Sequence, residues 1–407
     1  MKKANKPARI GIVGFGNQGS AYVALLTGGL KIGNFHMNLP GIKLVKNGVL
    51  GAVCDINPEK LEAQYKKFHL SCPKYTDYKE MIESGNIDAV IVTTPHYFHP
   101  EVVIYALEHG LHAMSDKPAG VYTKQVKEMN AVAAKIQKKD PNRLFAIMFN
   151  QRTNNAYKFM KKTIAEGGIG ELKRFNWIIT DWYRSQSYYD SSAWRATWKG
   201  EGGGVLFNQA PHQLDLLSWI LGVMPCMIDT HCHFGKWHDI EVEDDVTAYM
   251  EFPNGATGVF ITSTADAPGT NRLEILGTKG KLVTDGSSVE YYKNSVDERE
   301  FNKNYKGGFG KIGCSKKTLH FKPSTQHLEI INNYCNAICG LEPLKVRGEE
   351  GINGVEVMDA MLLSTWLDKP VSVPIDDDLY LAELDKHRAA GKVKETKDVV
   401  LDTRGTY

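Results

Sequence analysis

"RIGIVGFGNQG", residues 9 to 19, is a short apolar run that ends in glycines. Its letters predict a strand, a tight turn and the start of a helix. Gly14, Gly16 and Gly19 carry the G-x-G-x-x-G spacing, with Phe15, Asn17 and Gln18 between them. In that setting the first glycine makes the turn, the second admits a pyrophosphate and the third lets helix and strand pack closely. A purely structural glycine turn has the same letters; the flanking strand and helix favour dinucleotide binding. An acidic residue closing the second strand is the usual partner, about 20 residues on. Asp55 closes "GVLGAVCD", but 36 residues after Gly19. An insertion around "GGLKIGNFHMNLPGIKLVKNG" accounts for the excess.

Further apolar runs, "DAVIVTTP", "LHAMSDKP" and "LFAIMFN", alternate with helical stretches such as "HPEVVIYALEHG". Strands joined by helical crossovers predict a doubly wound parallel sheet over residues 1–150. After about residue 150 the texture changes. "ELKRFNWIITDWY", "DDVTAYMEF", "ATGVFITSTA", "RLEILG" and "GKLVTDG" follow one another, and "FPNGATG" holds an Asn-Gly hairpin signal. A separate α+β domain with a largely antiparallel sheet is expected over 151–375, ending in two helical segments. Residues 376–407 read as a charged surface helix and tail. The expected class is α/β for the first domain and α+β for the second.

The 407 residues carry a net charge of +2 with no basic block, which gives no footing for nucleic acid or an anionic membrane. Seven cysteines without a C-x-x-C pair, and no signal peptide or membrane-spanning run, point to reduced thiols in a cytoplasmic protein. "HCHFGKWHD" sets His231 and His233 at strand spacing with His238 nearby. Its spacing matches no familiar ligand pattern, so no metal is expected.

Two motifs carry chemistry. "SDKPAG" puts Lys117 and Pro118 after the fourth strand, where strand ends face the ligand crevice. Proline biases Lys117 toward an extended conformation and so fixes its direction. A solvent-facing turn lysine is the competing reading. "GGGVLFNQAPHQLD", residues 202 to 215, runs three glycines into Asn208 and His212, four apart on one helix face. Pro211 suits a first turn and Asn208 a cap. The glycines are read as letting the backbone approach a flat ligand such as nicotinamide; His212 is read as a pocket residue or a partnered core histidine.

Together these residues resemble the glucose-fructose oxidoreductase / inositol dehydrogenase / MocA family. The resemblance rests on "GFGNQG", "TTPHYFHPEVVIYALEHGLHAMSDKPAG" and "GEGGGVLFNQAPHQLDLLSWILG", in that order, and covers nearly the whole chain. It implies an N-terminal Rossmann domain and a C-terminal domain whose open sheet makes a subunit interface, so a homodimer or homotetramer is expected. It also implies a catalytic Lys117, a catalytic His212, and cofactor contacts through Thr94, Pro95, His96, His99 and Asp116–Pro118. There are three departures. Asp116 replaces a glutamate, His96 stands where asparagine is usual, and Asn208 replaces an aspartate of the inositol branch. Arg152, Tyr183, Trp194 and Arg195 are candidates for a sugar pocket or, equally, core and interface residues.

The expected activity is NAD-dependent oxidation of a secondary hydroxyl in a sugar, glycoside or cyclic polyol. His212 is the general base, at an ordinary pKa near 6.5, and Lys117 holds the alkoxide, with Asn208 beside them. Asp55 accepts ribose hydroxyls and repels a 2′-phosphate, which favours NAD over NADP. Two other readings remain: a redox-assisted glycosidase or eliminase, and a non-catalytic sugar or NAD sensor.

Overall fold

The computed structural model describes residues 6–32, 35–38, 44–391 and 394. The opening run forms the strand Ala8–Val13, central in a six-stranded parallel sheet. The order is Lys74–Tyr75, Gly48–Cys54, Ala8–Val13, Ala89–Val92, His112–Ser115, Phe145–Ile147. The chain reverses its winding between Ala8–Val13 and Ala89–Val92, which opens a crevice at their carboxyl ends. Both strands are apolar because helices cover both faces of the sheet. In the extra stretch before the second strand, Gly29–Ile32 pairs antiparallel with Phe35–Asn38; residues 33–34 and 39–43 lie outside the described ones.

The second sheet has nine strands, in the order Cys314–His320, Ser288–Asn294, Gly280–Thr284, Asn271–Gly277, Leu172–Ile179, Thr257–Ser263, Glu243–Glu251, Met227–Phe234 and Val371–Ser372. All neighbours are antiparallel except Leu172–Ile179 with Thr257–Ser263. The Asn-Gly turn joins Glu243–Glu251 to Thr257–Ser263, with Gly255 at φ +79°. Alternation decides the faces. Phe175, Trp177, Phe260, Val246, Ala248 and Ile275 are buried against helices. Opposite them, the row Arg272, Ile178, Ile261, Thr247, His231 runs across an open face, where Ile178 is 37% exposed.

The late chain comes back to the first sheet. In the helix His327–Ile338, the Tyr334 hydroxyl donates to the Val90 carbonyl (3.4 Å), and the Asn47 amide donates to Asn336 (2.7 Å). Cys335 packs beside Gly48, at the start of the second strand. The helix Gly351–Leu367 is buried along most of its length, and its Asp359 accepts from the Thr123 N–H (2.8 Å). The expected terminal helix spans Asp377–Ala390, and the tail beyond it lies outside the described residues except for Lys394.

Candidate active site

The glycine turn leads into the helix Asn17–Thr27. Gly14 sits at φ +94°, and a Cβ there would stand 2.7 Å from the Thr93 carbonyl oxygen, so only glycine fits at the crevice. A Cβ on Gly19 would meet the Gly14 carbonyl at 2.0 Å, which is the close helix–strand packing expected of the third glycine. At Gly16 the nearest atom is Lys60 Nζ, 3.6 Å away, so the middle of the turn is open. Asn17 and Gln18 form the first helical turn, while Phe15 is fully buried and its N–H donates to Asp55 (2.8 Å). Asp55 also accepts from the Asn57 N–H and pairs with the Lys60 ammonium (3.0 Å). Lys60 was not foreseen; its signal is a cation five residues after the acid, one helical turn into Pro58–Lys67.

Across the crevice, Thr94 Oγ1 is buried with no partner among the described residues. The open glycine, the acid closing the second strand and this orphaned hydroxyl fit a dinucleotide. Pro95 precedes the short turn His96–Phe98. His99 spans two carbonyls, Nδ1 to Pro118 (2.7 Å) and Nε2 to Thr94 (2.8 Å). It braces the crevice from behind, in place of the direct cofactor contact expected. Burial lowers its pKa. His96 turns Nδ1 to the Glu201 carbonyl (3.1 Å) and sets its ring edge-on to Trp194.

At the end of His112–Ser115, Asp116 accepts from the Tyr22 hydroxyl (2.9 Å) and the Lys117 N–H (2.7 Å). The Lys117–Pro118 peptide is cis. Lys117 reaches across the cleft and its ammonium donates to the Asn208 main-chain carbonyl. Burial lowers its pKa, while Asp116 and Glu201 oppose the shift.

His212 lies in the first turn of Pro211–Leu221, next to the Phe149 ring. Its Nδ1 is buried without a partner among the described residues. Burial, then the charge of Lys117, push its pKa well below the ordinary value assumed for it. The imidazole is therefore neutral at physiological pH.

The three glycines before it are required by packing. A Cβ on Gly202 would stand 2.1 Å from Val121, on Gly203 2.2 Å from the Phe207 ring, and on Gly204 2.0 Å from the Glu243 carbonyl oxygen. All three are pressed against protein atoms, so no side chain fits at any of them. Glu243, fully buried, accepts from the N–H groups of Gly204 (2.8 Å) and Leu206 (3.0 Å) and holds this turn. Burial raises its pKa to about 8.

Beside Asn208 sits a carboxylate the sequence reading missed. Glu201, 1% exposed, accepts from the Asn208 side-chain amide and from the Ala196 N–H (2.6 Å). Asn208 Oδ1 accepts from the Tyr188 hydroxyl (3.1 Å), which in turn accepts from Arg195 (2.6 Å). Arg195 also stacks over the Trp194 ring. Tyr183 is 56% exposed at the rim. Arg152 does not join them. Its guanidinium is committed to a bidentate pair with buried Asp215 and a further pair with Glu350. That removes it from the substrate set. His231 and His233 lie exposed on the second sheet, and His238 is held by Asp244 (3.0 Å) and the Arg184 carbonyl. Among the described residues no cluster of three or more His, Cys, Asp or Glu could hold a metal ion.

Two family descriptions match this chain. The oxidoreductase family with an NAD-binding Rossmann fold covers residues 8–140, and the GFO/IDH/MocA C-terminal domain covers 157–283. The chain belongs to the Gfo/Idh/MocA family of NAD-dependent oxidoreductases. Among curated members, levoglucosan dehydrogenase of Pseudarthrobacter phenanthrenivorans is 26% identical over 73% of this chain and 80% of its own length. Myo-inositol 2-dehydrogenase of Thermotoga maritima is 25% identical over 68% and 75%. A solved Gfo/Idh/MocA-like fold, the WlbA dehydrogenase of Bordetella pertussis in complex with NADH and UDP-GlcNAcA, superposes with a TM-score of 0.71 at 23% identity, covering 91% of this chain and all of that one. No helix among the described residues is long and apolar enough to cross a membrane.

Proposed function

We propose that this member oxidises, reversibly, a secondary hydroxyl of a sugar, glycoside or cyclic polyol, with Lys117 and His212 as the catalytic pair. One observation carries the reading. At the mouth of the switch crevice, the Lys117 ammonium docks on the carbonyl that leads into the His212 helix, and its charge acts on that imidazole. The relatives named for levoglucosan and myo-inositol support the substrate class.

When bound, NAD supplies the hydride acceptor. The chain handles the proton. Neutral His212 takes it from the hydroxyl at Nε2, since Nδ1 is buried in the protein. Lys117 holds the same oxygen and stabilises its developing negative charge in a site screened from water. Because Lys117 disfavours the imidazolium, the proton is passed on rather than retained. Arg195, Trp194 and the rim Tyr183 are proposed to hold the sugar. The proposed form is a cytoplasmic homodimer or homotetramer joined through the open sheet face.

The test is a screen of sugars, inositols and glycosides with NAD, following NADH absorbance and products. Turnover of a cyclic polyol or sugar with stoichiometric NADH is expected. Bond cleavage without net NADH would replace oxidation by an eliminase or glycosidase; no turnover across the panel would leave a sensor.

A further inference from the structure

The site's polar groups close into a ring. Arg195 donates to the Tyr188 hydroxyl, Tyr188 to Asn208 Oδ1, and the Asn208 amide to Glu201, whose carboxylate lies 3.7 Å from Arg195. Lys117 docks on the main-chain carbonyl of that same Asn208. Glu201 thus sits one hydrogen bond behind the residue that seats the lysine. Every oxygen of Glu201 is engaged: one carboxylate oxygen by Asn208, the other by the Ala196 N–H, and the main-chain carbonyl by His96. Ala196 itself is held at φ +56°, a strained conformation for alanine. A carboxylate buried this completely needs compensating partners, and these provide them.

We propose that Glu201 is the positioning carboxylate of this active site: it fixes Asn208, and through Asn208 the seat of Lys117. The assignment rests on the dehydrogenase reading for its effect on turnover, not for its effect on Lys117. The ionisable groups facing Lys117 are Asp116 on its own turn, Glu201, His96 and His99 beyond Ala89–Val92, Arg184 and Arg195 from the loop over the site, His212 on its helix and His327 from the late chain. Glu201 itself faces Arg195, Lys117, Tyr188, Tyr189 and Glu243. Of the groups facing Lys117, Asp116 and Glu201 are the anions.

The charge can be removed with little change of shape by Glu201→Gln. The expected result is a kcat at least about tenfold lower, as for misplaced catalytic groups, with NAD affinity kept. The rate limb governed by Lys117 moves to lower pH by about one unit, because an opposite charge has been taken from beside the ammonium. The same shift is read without any substrate, by acetylating the protein with acetic anhydride across pH and measuring Lys117 modification by peptide mass spectrometry. Exchanging the pair's members in Glu201→Gln with Asn208→Asp restores one carboxylate and one amide, and is expected to recover both kcat and the labelling midpoint. Asn208→Asp alone sets two acids together and is expected to lower kcat. Glu201→Asp, a second variant should the glutamine protein fail to fold, keeps the charge but not the reach; it is expected to hold the midpoint and lose kcat. If Glu201→Gln keeps the wild-type rate, pH profile and midpoint, Glu201 only braces Ala196 and the proposal falls. It falls too if the exchanged pair is no better than Glu201→Gln. A midpoint shifted by Glu201→Gln, in a protein whose wild type turns over no sugar, would overturn the dehydrogenase reading and keep this one.

Discussion

The ammonium of Lys117 donates to the main-chain carbonyl of Asn208, so the turn closing a strand of one sheet is pinned to the turn opening the His212 helix. Lys117→Met keeps most of the side-chain volume and loses the charge. Turnover is expected to fall by about a hundredfold or more, as when an oxyanion donor is removed, while NAD binding persists. Calorimetric titration with NAD beside steady-state kinetics checks both halves.

Proton transfer should belong to His212 and not to Asn208, whose amide cannot titrate near neutral pH. His212→Ala is expected to cost about ten times more turnover than Asn208→Ala, within the usual range of general-base effects. Because burial, and after it the charge of Lys117, lower the His212 pKa, the oxidation rate should hold its plateau well below pH 6.5, and His212→Ala should erase that acidic limb. An acidic limb unchanged by the substitution would take the histidine out of the mechanism.

Cofactor choice follows from Asp55 and its neighbour. NAD should bind more tightly than NADP, since the carboxylate repels a 2′-phosphate. Asp55→Asn should narrow the difference, and Lys60→Ala, which leaves Asp55 without its cation, should widen it. Fluorescence titration of each variant with both cofactors gives the ratios.

Glu243 predicts how stability depends on pH. Its folded pKa, about 8, lies above the ordinary glutamate value, so between about pH 4.3 and 8 the folded state binds more protons than the unfolded one. Its contribution to stability is therefore greatest in acid and declines as pH rises through that window. Glu243→Gln retains an acceptor for the Gly204 and Leu206 N–H groups and removes the ionisation. Thermal melts from pH 5 to 8 should show a smaller decline for the variant than for wild type.

Arg152 is expected to act on stability and not on substrate. Arg152→Met leaves buried Asp215 without its bidentate partner, and breaking such a pair costs about 3–5 kcal/mol. Urea denaturation should register that loss, with KM for the sugar unchanged in the protein that remains folded.

What the sequence made legible was local. Gly14 and Gly19 are dictated by a stretch of eleven residues, and the Asn254–Gly255 hairpin by two adjacent letters. Lys117 could be placed because a strand's end faces the crevice. What stayed hidden depended on partners far along the chain. Nothing near Glu243 marks it as the anchor of the glycines at 202–204, and Glu201 reads as an ordinary charge until Asn208 and Ala196 close around it. The strands Ser288–Asn294 and Cys314–His320, at one end of the sheet, were missed because Cys314–His320 is exposed on both faces and Ser288–Asn294 is largely half-buried, so neither alternates cleanly.

The helix His327–Ile338 has a consequence for how such a protein can be cut and recombined. Tyr334 and Cys335, both fully buried, finish the surface of a sheet built by the first 150 residues. A fragment ending at residue 150 would therefore present a bare apolar flank and should precipitate on expression. Grafting this dinucleotide unit onto a foreign partner would require carrying along a piece of chain encoded some 180 residues later. The two halves are a matched set, and a chimera that respects only the visible junction will lack its own wall.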